Sequence, residues 1–186
     1  FKILSYANTK YLYKTPCILR SEITKYREGI LISSSCSNSE IFRLARSKSE
    51  EEISDLMNFY DYIEVQPPEV YSYLIDLNDF NSREELLDNI RKIIKVANEK
   101  NKLVVATGDV HHLDRDDKIY REFIVNQKVA GGGRHPFNRR DIKSIPSMHF
   151  RTTTEMLEDF AFLGEEEANK IVITNPNKIA DMIEEI

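Results

Sequence analysis

The chain has 186 residues, with 26 Lys plus Arg against 31 Asp plus Glu, and its formal net charge at pH 7 is −5. A content of 41% hydrophobic and 31% charged residues excludes a disordered tail and a membrane-spanning protein. The acidic balance also excludes a protein that binds nucleic acid by net charge alone. The length suits one domain or a large piece of one, and because the first residue is Phe1 rather than Met, we expect the chain to begin inside a longer protein.

The first half of the chain alternates strand-like and helix-like patterns. The apolar run at 29–33 predicts a buried strand, and the sequence Ser37 to Glu40 predicts a capping box that opens a helix. A second helix is predicted over residues 49–60, followed by a short strand at 62–66 that Pro67 and Pro68 end.

The middle of the chain continues the alternation. A capping box at 82–85 predicts the longest helix, to about Asn98, and the β-branched run at 103–107 is typical of a parallel strand covered on both faces. This order predicts an α/β fold with parallel strands and right-handed crossovers. Three strands are too few for a closed barrel, so we expect part of a larger α/β unit.

The last third changes character. A glycine-rich, basic stretch over residues 128–143 predicts a flexible loop. Beyond it, the pattern predicts a helix from Thr152 and shorter helices at 165–170 and 177–185.

The strongest chemical signal is the pair Asp109 and His111, which comes directly after the predicted strand at 103–107. Binding groups of parallel α/β folds sit at this end of the strands. A carboxylate and an imidazole two residues apart can share a metal ion such as zinc, manganese or iron. The alternative is that Asp109 caps the turn and His111 is an ordinary surface histidine.

Cys36 follows the other well-defined predicted strand, just before a capped helix. The thiolate form, which binds metals, is favoured at a helix N-terminus. The alternative is a buried small apolar residue, a common environment for a free cysteine. Two cysteines, Cys17 and Cys36, cannot form a disulfide scaffold in a chain of this length, so we expect reduced thiols and a cytoplasmic protein.

A second group of residues is basic. Its members, which could contact DNA phosphates or lie in a solvated loop, are Arg134, Arg139, Arg140 and Lys143. Glu64 is expected to be structural, and three further histidines are expected at the surface or at helix caps: His112, His135 and His149.

Several segments together resemble the PHP (polymerase and histidinol phosphatase) domain of PolC-type bacterial replicative DNA polymerases. They cover the chain in order: TKYLY at 9–13, KYREG at 25–29, FYDYIE at 59–64, VVATGDVH at 104–111, DKIYR at 117–121 and FRTTTEML at 150–157.

The resemblance implies part of a distorted (β/α)7 barrel with parallel strands, followed by short helices leading toward the polymerase core. Residues 1–149 would be the C-terminal portion of the PHP domain, and residues 150–186 a helical segment that links it to that core. Asp109 and His111 match the family's last metal motif, Asp-x-His, and Cys36 matches the cysteine of the third. Ser34, Ser35, Ser37 and Asn38 replace the glycine and acidic residues often found beside that cysteine.

The resemblance also implies a context. The parent would be a DNA polymerase with an associated 3′–5′ exonuclease, and its partners would be DNA and other replisome subunits, with no membrane. The cofactors would be divalent metal ions, namely zinc, manganese or magnesium, although this piece holds no polymerase or exonuclease active site. The missing barrel strands would leave exposed edges, so the isolated piece is expected to self-associate.

Two alternatives remain open on the sequence. The first is a stand-alone metal-dependent phosphoesterase with the same fold. The second is a binding module without a metal, which requires Cys36 and His111 to be merely packed.

Overall fold

The structure is a computed structural model that describes residues 1–128 and 131–184. It forms two compact units, one of residues Phe1–Ile32 and one that begins at Ser33. The predicted domain division at residue 149 stays a prediction.

The first unit is small. It contains two helices, α1 (Lys2–Thr9) and α2 (Arg20–Thr24), and an antiparallel pair of two-residue strands, β1 (Leu12–Tyr13) and β2 (Thr15–Pro16). Lys14, between the strands, adopts a positive φ of 57° that closes the tight turn.

The buried strand predicted at 29–33 is wrong. Gly29 has a φ of +71°, and the next amide, that of Ile30, donates a turn hydrogen bond of 3.2 Å to the carbonyl of Arg27. Leu31 is exposed, and so is Ile30. Only Ser33, at the start of the second unit, keeps the predicted pairing, through one parallel bridge to Tyr62.

Two short helices follow Ser33. They are α3 (Glu40–Ala45) and α4 (Glu50–Met57). The N-cap of α3 is Ser39, whose hydroxyl accepts from the amide of Phe42 at 3.2 Å, rather than the predicted Ser37. Ser37 is hydrogen-bonded to the Tyr73 hydroxyl instead, at 2.9 Å, so a tertiary contact replaces the local cap.

The centre of the second unit is a parallel sheet of two strands, β3 (Tyr62–Val65) and β4 (Leu103–Ala106). Ile63 pairs with Val104 and Val65 with Ala106. The parallel α/β prediction is therefore confirmed as a mixed helix and strand architecture with a two-stranded parallel sheet, and the barrel stays a prediction.

The crossover between these strands carries the longest helix. After β3 come a 3-10 turn at Pro68–Tyr71 and the helix α5 (Tyr73–Asp76), and then α6 (Arg83–Glu99). Ser82 caps α6 as predicted, but the Glu85 carboxylate accepts from the amides of Asn81 rather than completing the box.

The chain after β4 runs through a 3-10 turn at Arg115–Asp117 into α7 (Lys118–Asn126). The last helices are α8 (Thr153–Asp159), α9 (Glu165–Asn169) and α10 (Asn175–Asp181), with a 3-10 turn at Ala161–Leu163 before α9 and a π-helical turn at Lys170–Thr174 before α10. Residues 129–130 of the predicted flexible loop and residue 185 of the last predicted helix lie outside the described residues.

One apolar core surrounds the two parallel strands. It is built from α3, α4, α6 and the last helices, and its fully buried members include Ile41, Ile53, Met57, Ile63, Leu86, Ile90, Ile93, Phe160 and Ile171. Within residues 1–128 and 131–184, no helix has the length and apolarity that a membrane crossing requires.

Candidate metal-binding cleft

Asp109 and His111 lie together just beyond the carboxyl end of β4. The carboxylate Oδ1 of Asp109 is 3.3 Å from Nε2 of His111, and both side chains are partly exposed. The main-chain amide of Thr107 extends the sheet by donating to Val65 at 2.9 Å, and that of His111 donates to Met148 at 2.8 Å. The loop is thus held at both ends, and its two polar side chains are fixed side by side.

Asp109 is held in a strained backbone conformation. Its φ is +46°, a region that L-residues other than Asn and Asp rarely adopt. Such strain is found most often at functional sites, where surrounding hydrogen bonds maintain it. Within the described residues four other non-glycine residues also have a positive φ, so this conformation positions Asp109 but does not assign it a role.

Cys36 lines the same cleft as Asp109 and His111. The cleft has a volume of about 590 Å³, and its lining also includes Tyr73, Arg121 and His135. Burial raises the pKa of the Tyr71 hydroxyl, and the nearby acidic groups of Cys36, Asp109 and Glu64 raise it further. The loop that carries Cys36 and the loop after β4 therefore both lie near Tyr71, although the strand predicted at 29–33 does not form.

Glu64 lies in β3, and its side chain reaches Thr107, the first residue after β4. Its Oε2 accepts a hydrogen bond of 3.1 Å from the Thr107 hydroxyl, and its amide donates to the Ser34 hydroxyl at 2.9 Å. These bonds tie the sheet to the loops that carry Cys36 and Asp109. They are consistent with the predicted structural role.

The donor set fits a metal ion only in part. Asp109 and His111 supply an oxygen and a nitrogen at one point, which suits zinc or manganese. Within the described part of the chain, no three His, Cys, Asp or Glu side chains are close enough together to hold an ion. Cys36 shares the cleft without joining the pair, and the assignment of all three as ligands stays a prediction.

Two other histidines are occupied by the protein itself. Nδ1 of His112 is 2.8 Å from the Asp114 carbonyl, and its Nε2 accepts from the Met148 amide at 3.1 Å. His149 was expected at the surface or at a helix cap, but it is only 2% exposed, and its Nδ1 is hydrogen-bonded to the Ser147 hydroxyl at 2.9 Å. Both nitrogens of His112 are therefore engaged, whereas Nε2 of His149 is buried without a hydrogen-bond partner within the described residues and lies away from the cleft lining.

His135 is the residue that sequence reasoning missed. It lines the cleft, and its Nδ1 accepts a hydrogen bond of 3.1 Å from the amide of Phe137. Burial lowers the pKa of His135, and the positive charges of Arg121 and His111 lower it further. No spacing relates His135 to Asp109, because only the folding of the glycine-rich segment brings it there.

The four predicted DNA-contact residues divide into two kinds. Arg139 forms an ion pair of 2.7 Å with Asp141, and Lys143 lies 3.7 Å from Asp76. Arg134 and Arg140 are exposed and have no ion pair within the described residues. Arg134 and Arg140 are therefore better suited to bind phosphate than the two residues that already have an acidic neighbour.

Comparison with known proteins identifies close relatives along the full chain. The chain is 47% identical over 186 residues to a protein of Bacillus subtilis (strain 168) named DNA polymerase III PolC-type, of which it covers 12%. Proteins of the same name from Halalkalibacterium halodurans and Lacticaseibacillus paracasei are 46% identical over 186 residues and 45% over 185, with 13% and 12% of each covered. The chain thus spans about an eighth of the length of these relatives, and no family model matches it.

Proposed function

We propose that this chain is part of a PolC-type DNA polymerase III, a bacterial replicative DNA polymerase. The observation that carries the proposal is identity of 40–47% to proteins of that name across the chain. The match includes residues 150–186, which a stand-alone phosphoesterase would not need as a link to a polymerase core. The parent protein would synthesise DNA on a template and proofread it with a 3′–5′ exonuclease, at active sites outside this segment.

Within that parent, residues 1–149 would be the C-terminal portion of a PHP domain, and residues 150–186 would link it to the polymerase core. The parallel pairing of β3 with β4 and the position of Asp109 and His111 at the strand ends support this proposal. In the complete barrel, Asp109, His111 and Cys36 would supply part of a divalent metal site, for zinc, manganese or magnesium.

The chain's own residues would prepare this site. A bound metal supplies acidity to a coordinated water and positive charge for phosphate oxygens. Asp109 and His111 must present an ionised carboxylate and an unprotonated imidazole nitrogen to bind it. The hydrogen bonds of Thr107 to Val65 and of His111 to Met148 fix the loop so that little ordering is needed on binding.

The same proposal covers location and partners. The parent would act in the cytoplasm on DNA, together with other replisome subunits. Arg134 and Arg140 are the residues of this chain best placed to contact the phosphate backbone, because both are exposed and unpaired within the described residues.

The test is primer extension by the full-length protein that the gene encodes. We expect incorporation of nucleotides on a primed template in the presence of a divalent metal, and removal of a mismatched 3′ end. A full-length protein that hydrolyses a chromogenic phosphoester but extends no primer would contradict the proposal. That result would favour the phosphoesterase alternative.

A further inference from the structure

The cleft that holds Asp109 is lined by several arginines, although the chain as a whole is acidic. The chain carries a formal charge of −5, yet the charged residues that line the cleft, besides histidines, are Arg43, Arg121, Arg139, Asp79 and Asp109. Arg139 is already paired with Asp141, whereas Arg43 has no ion pair within the described residues. With Arg139 paired, the remaining arginines and aspartates of the lining are equal in number, so the case for an anionic ligand depends on the unsatisfied donors of individual arginines.

Arg121 is the least satisfied of these cations. It lies on α7, and its Nη2 donates to the sulfur of Met148 at 3.4 Å, a weak acceptor. Its Nε is buried without a hydrogen-bond partner. Within the described residues no carboxylate pairs with it, and the ring of Phe137 lies 5.9 Å from its guanidinium carbon. A partly desolvated guanidinium with unused donors is costly unless an anion binds there.

His135 offers a further donor beside Arg121. Its Nδ1 accepts from the amide of Phe137, so the hydrogen of the ring is on Nε2. Arg121, His111 and His135 line the same cleft, and the ring of Phe137 lies 5.4 Å from the ring of His135 as well as against Arg121. The cleft thus combines a guanidinium fork and an imidazole N–H next to Asp109 and His111.

We propose that Arg121 and His135 form an oxyanion subsite that binds a phosphate group in the cleft beside Asp109. A phosphate has several strong acceptor oxygens and a double negative charge, and it matches a guanidinium fork with one added donor. The volume of about 590 Å³ is that of a small-molecule site. The role of the cleft in the parent protein rests on the proposed function. Phosphate binding by Arg121 and His135 does not, because these two side chains need no metal to bind it.

The experiment is titration calorimetry of inorganic phosphate into the full-length protein in buffer with EDTA. EDTA removes metal ions and, with them, any phosphate binding that goes through a metal. Phosphate that still binds therefore reports on this subsite and not on the metal site. Arg121→Gln should weaken phosphate binding about tenfold, the value of one charge-assisted hydrogen bond. His135→Asn, which keeps an acceptor for the Phe137 amide but lacks Nε2–H, should weaken it by several-fold.

Arg91→Gln is the matched control. Arg91 is a partly exposed arginine on α6 that pairs with Glu84 and Asp88, so its removal changes the net charge equally but leaves the cleft intact. Circular dichroism verifies that each variant folds. If Arg121→Gln does not fold, Arg121→Lys takes its place, because lysine keeps the charge but lacks the guanidinium fork. Folded Arg121 and His135 variants that bind phosphate as tightly as the wild type would overturn the proposal.

A second titration identifies the source of the phosphate. Competition by a dinucleotide with a 5′-terminal phosphate, but not by the same dinucleotide without it, would support a terminal phosphate of DNA as the ligand. Equal competition by both would support an internal phosphodiester. Both outcomes require the subsite, and both should disappear in Arg121→Gln.

Discussion

The side-chain amide of Asn175 donates a hydrogen bond of 2.7 Å to the main-chain carbonyl of Val104 on β4. Asn175 is 1% exposed and begins α10, so this bond joins the last helix to the central sheet. It satisfies a buried carbonyl of β4.

Replacing Asn175 should therefore destabilise the protein. Asn175→Ala leaves the Val104 carbonyl buried without a partner, which costs about 1–3 kcal/mol of unfolding free energy. Urea denaturation measures this difference. Asn177→Ala, on the exposed side of the same helix, should change stability by less than about 0.5 kcal/mol. Equal effects of the two changes would show that the Asn175 bond contributes nothing.

A buried arginine connects three parts of the second unit. The side chain of Arg151 is 1% exposed, and it donates to Asp159 at 2.5 Å, to Glu69 at 3.2 Å and to the Ser147 carbonyl at 3.2 Å. Arg151→Met should cost about 3 kcal/mol, because it leaves two carboxylates without their cation. Thermal unfolding of this variant is compared with that of Arg91→Met, whose exposed ion pairs are worth about 0–1 kcal/mol. A melting temperature equal to that of the control would contradict the estimate.

The metal proposal predicts that removing the proposed ligands lowers the metal content of the full-length protein. Asp109→Asn combined with His111→Gln should lower the bound metal of the full-length protein, measured by atomic emission after dialysis, because both proposed donors lose their ligand character. His112→Gln is the control, since both nitrogens of His112 are engaged within the protein. Cys36→Ser should lower the metal content only if Cys36 joins the pair. Unchanged metal content in the double variant would refute the ligand assignment.

His149 predicts a dependence of stability on pH. Burial lowers the pKa of His149 below the ordinary 6.5, and Arg151 and Arg115 lower it further, against the opposite effect of Glu155 and Glu69. Below pH 6.5 the unfolded chain therefore takes up a proton at this site before the folded chain does, so the free energy of unfolding falls with pH until the folded pKa is passed.

The measurement is the unfolding free energy of the wild type and of His149→Gln at several pH values. As the pH falls below 6.5, the wild type should lose stability more steeply than the variant. Burial also lowers the pKa of His135. Because His135 is present in both proteins, its contribution to the loss of stability cancels in the comparison. Parallel pH curves would mean that His149 takes up its proton equally in both states.

The DNA-contact proposal predicts a change in salt dependence. Removing Arg134 and Arg140 together should make the plot of log affinity against log salt shallower by about 1.8 for duplex DNA, or about 0.9 per phosphate contact. Fluorescence anisotropy of the full-length protein measures this slope, with Arg91→Gln as the control for charge. A slope identical to that of the wild type would leave both arginines as part of a solvated loop.

Much of the architecture could be predicted because it depends on local patterns. The helix predicted at 82–98 is observed as Arg83–Glu99, since its apolar period and its Ser82 cap agree. The strand at 29–33 could not be predicted correctly, because an apolar run shows strand propensity but not whether the fold covers it. Ser37 was wrong as a cap because its hydroxyl has a competing partner, Tyr73, 36 residues away.

The candidate site shows the same limit. Asp109 and His111 are two residues apart, so their contact follows from local geometry. Cys36 shares their cleft although its predicted strand does not form, because the bridge of Ser33 to Tyr62 and the bond of Ser34 to Glu64 hold its loop beside the sheet. Arg121 and His135 are brought there by α7 and by the loop after it. That loop has no periodic pattern, so its path depends on contacts that spacing does not reveal.

The positive φ of Asp109 makes position 109 an attractive place for a glycine substitution. Glycine adopts this φ without a Cβ clash, but its greater freedom in the unfolded chain offsets much of that gain, and it would remove the only carboxylate next to His111 within the described residues. An engineer who stabilises this protein should hold that position constant and look for gains elsewhere.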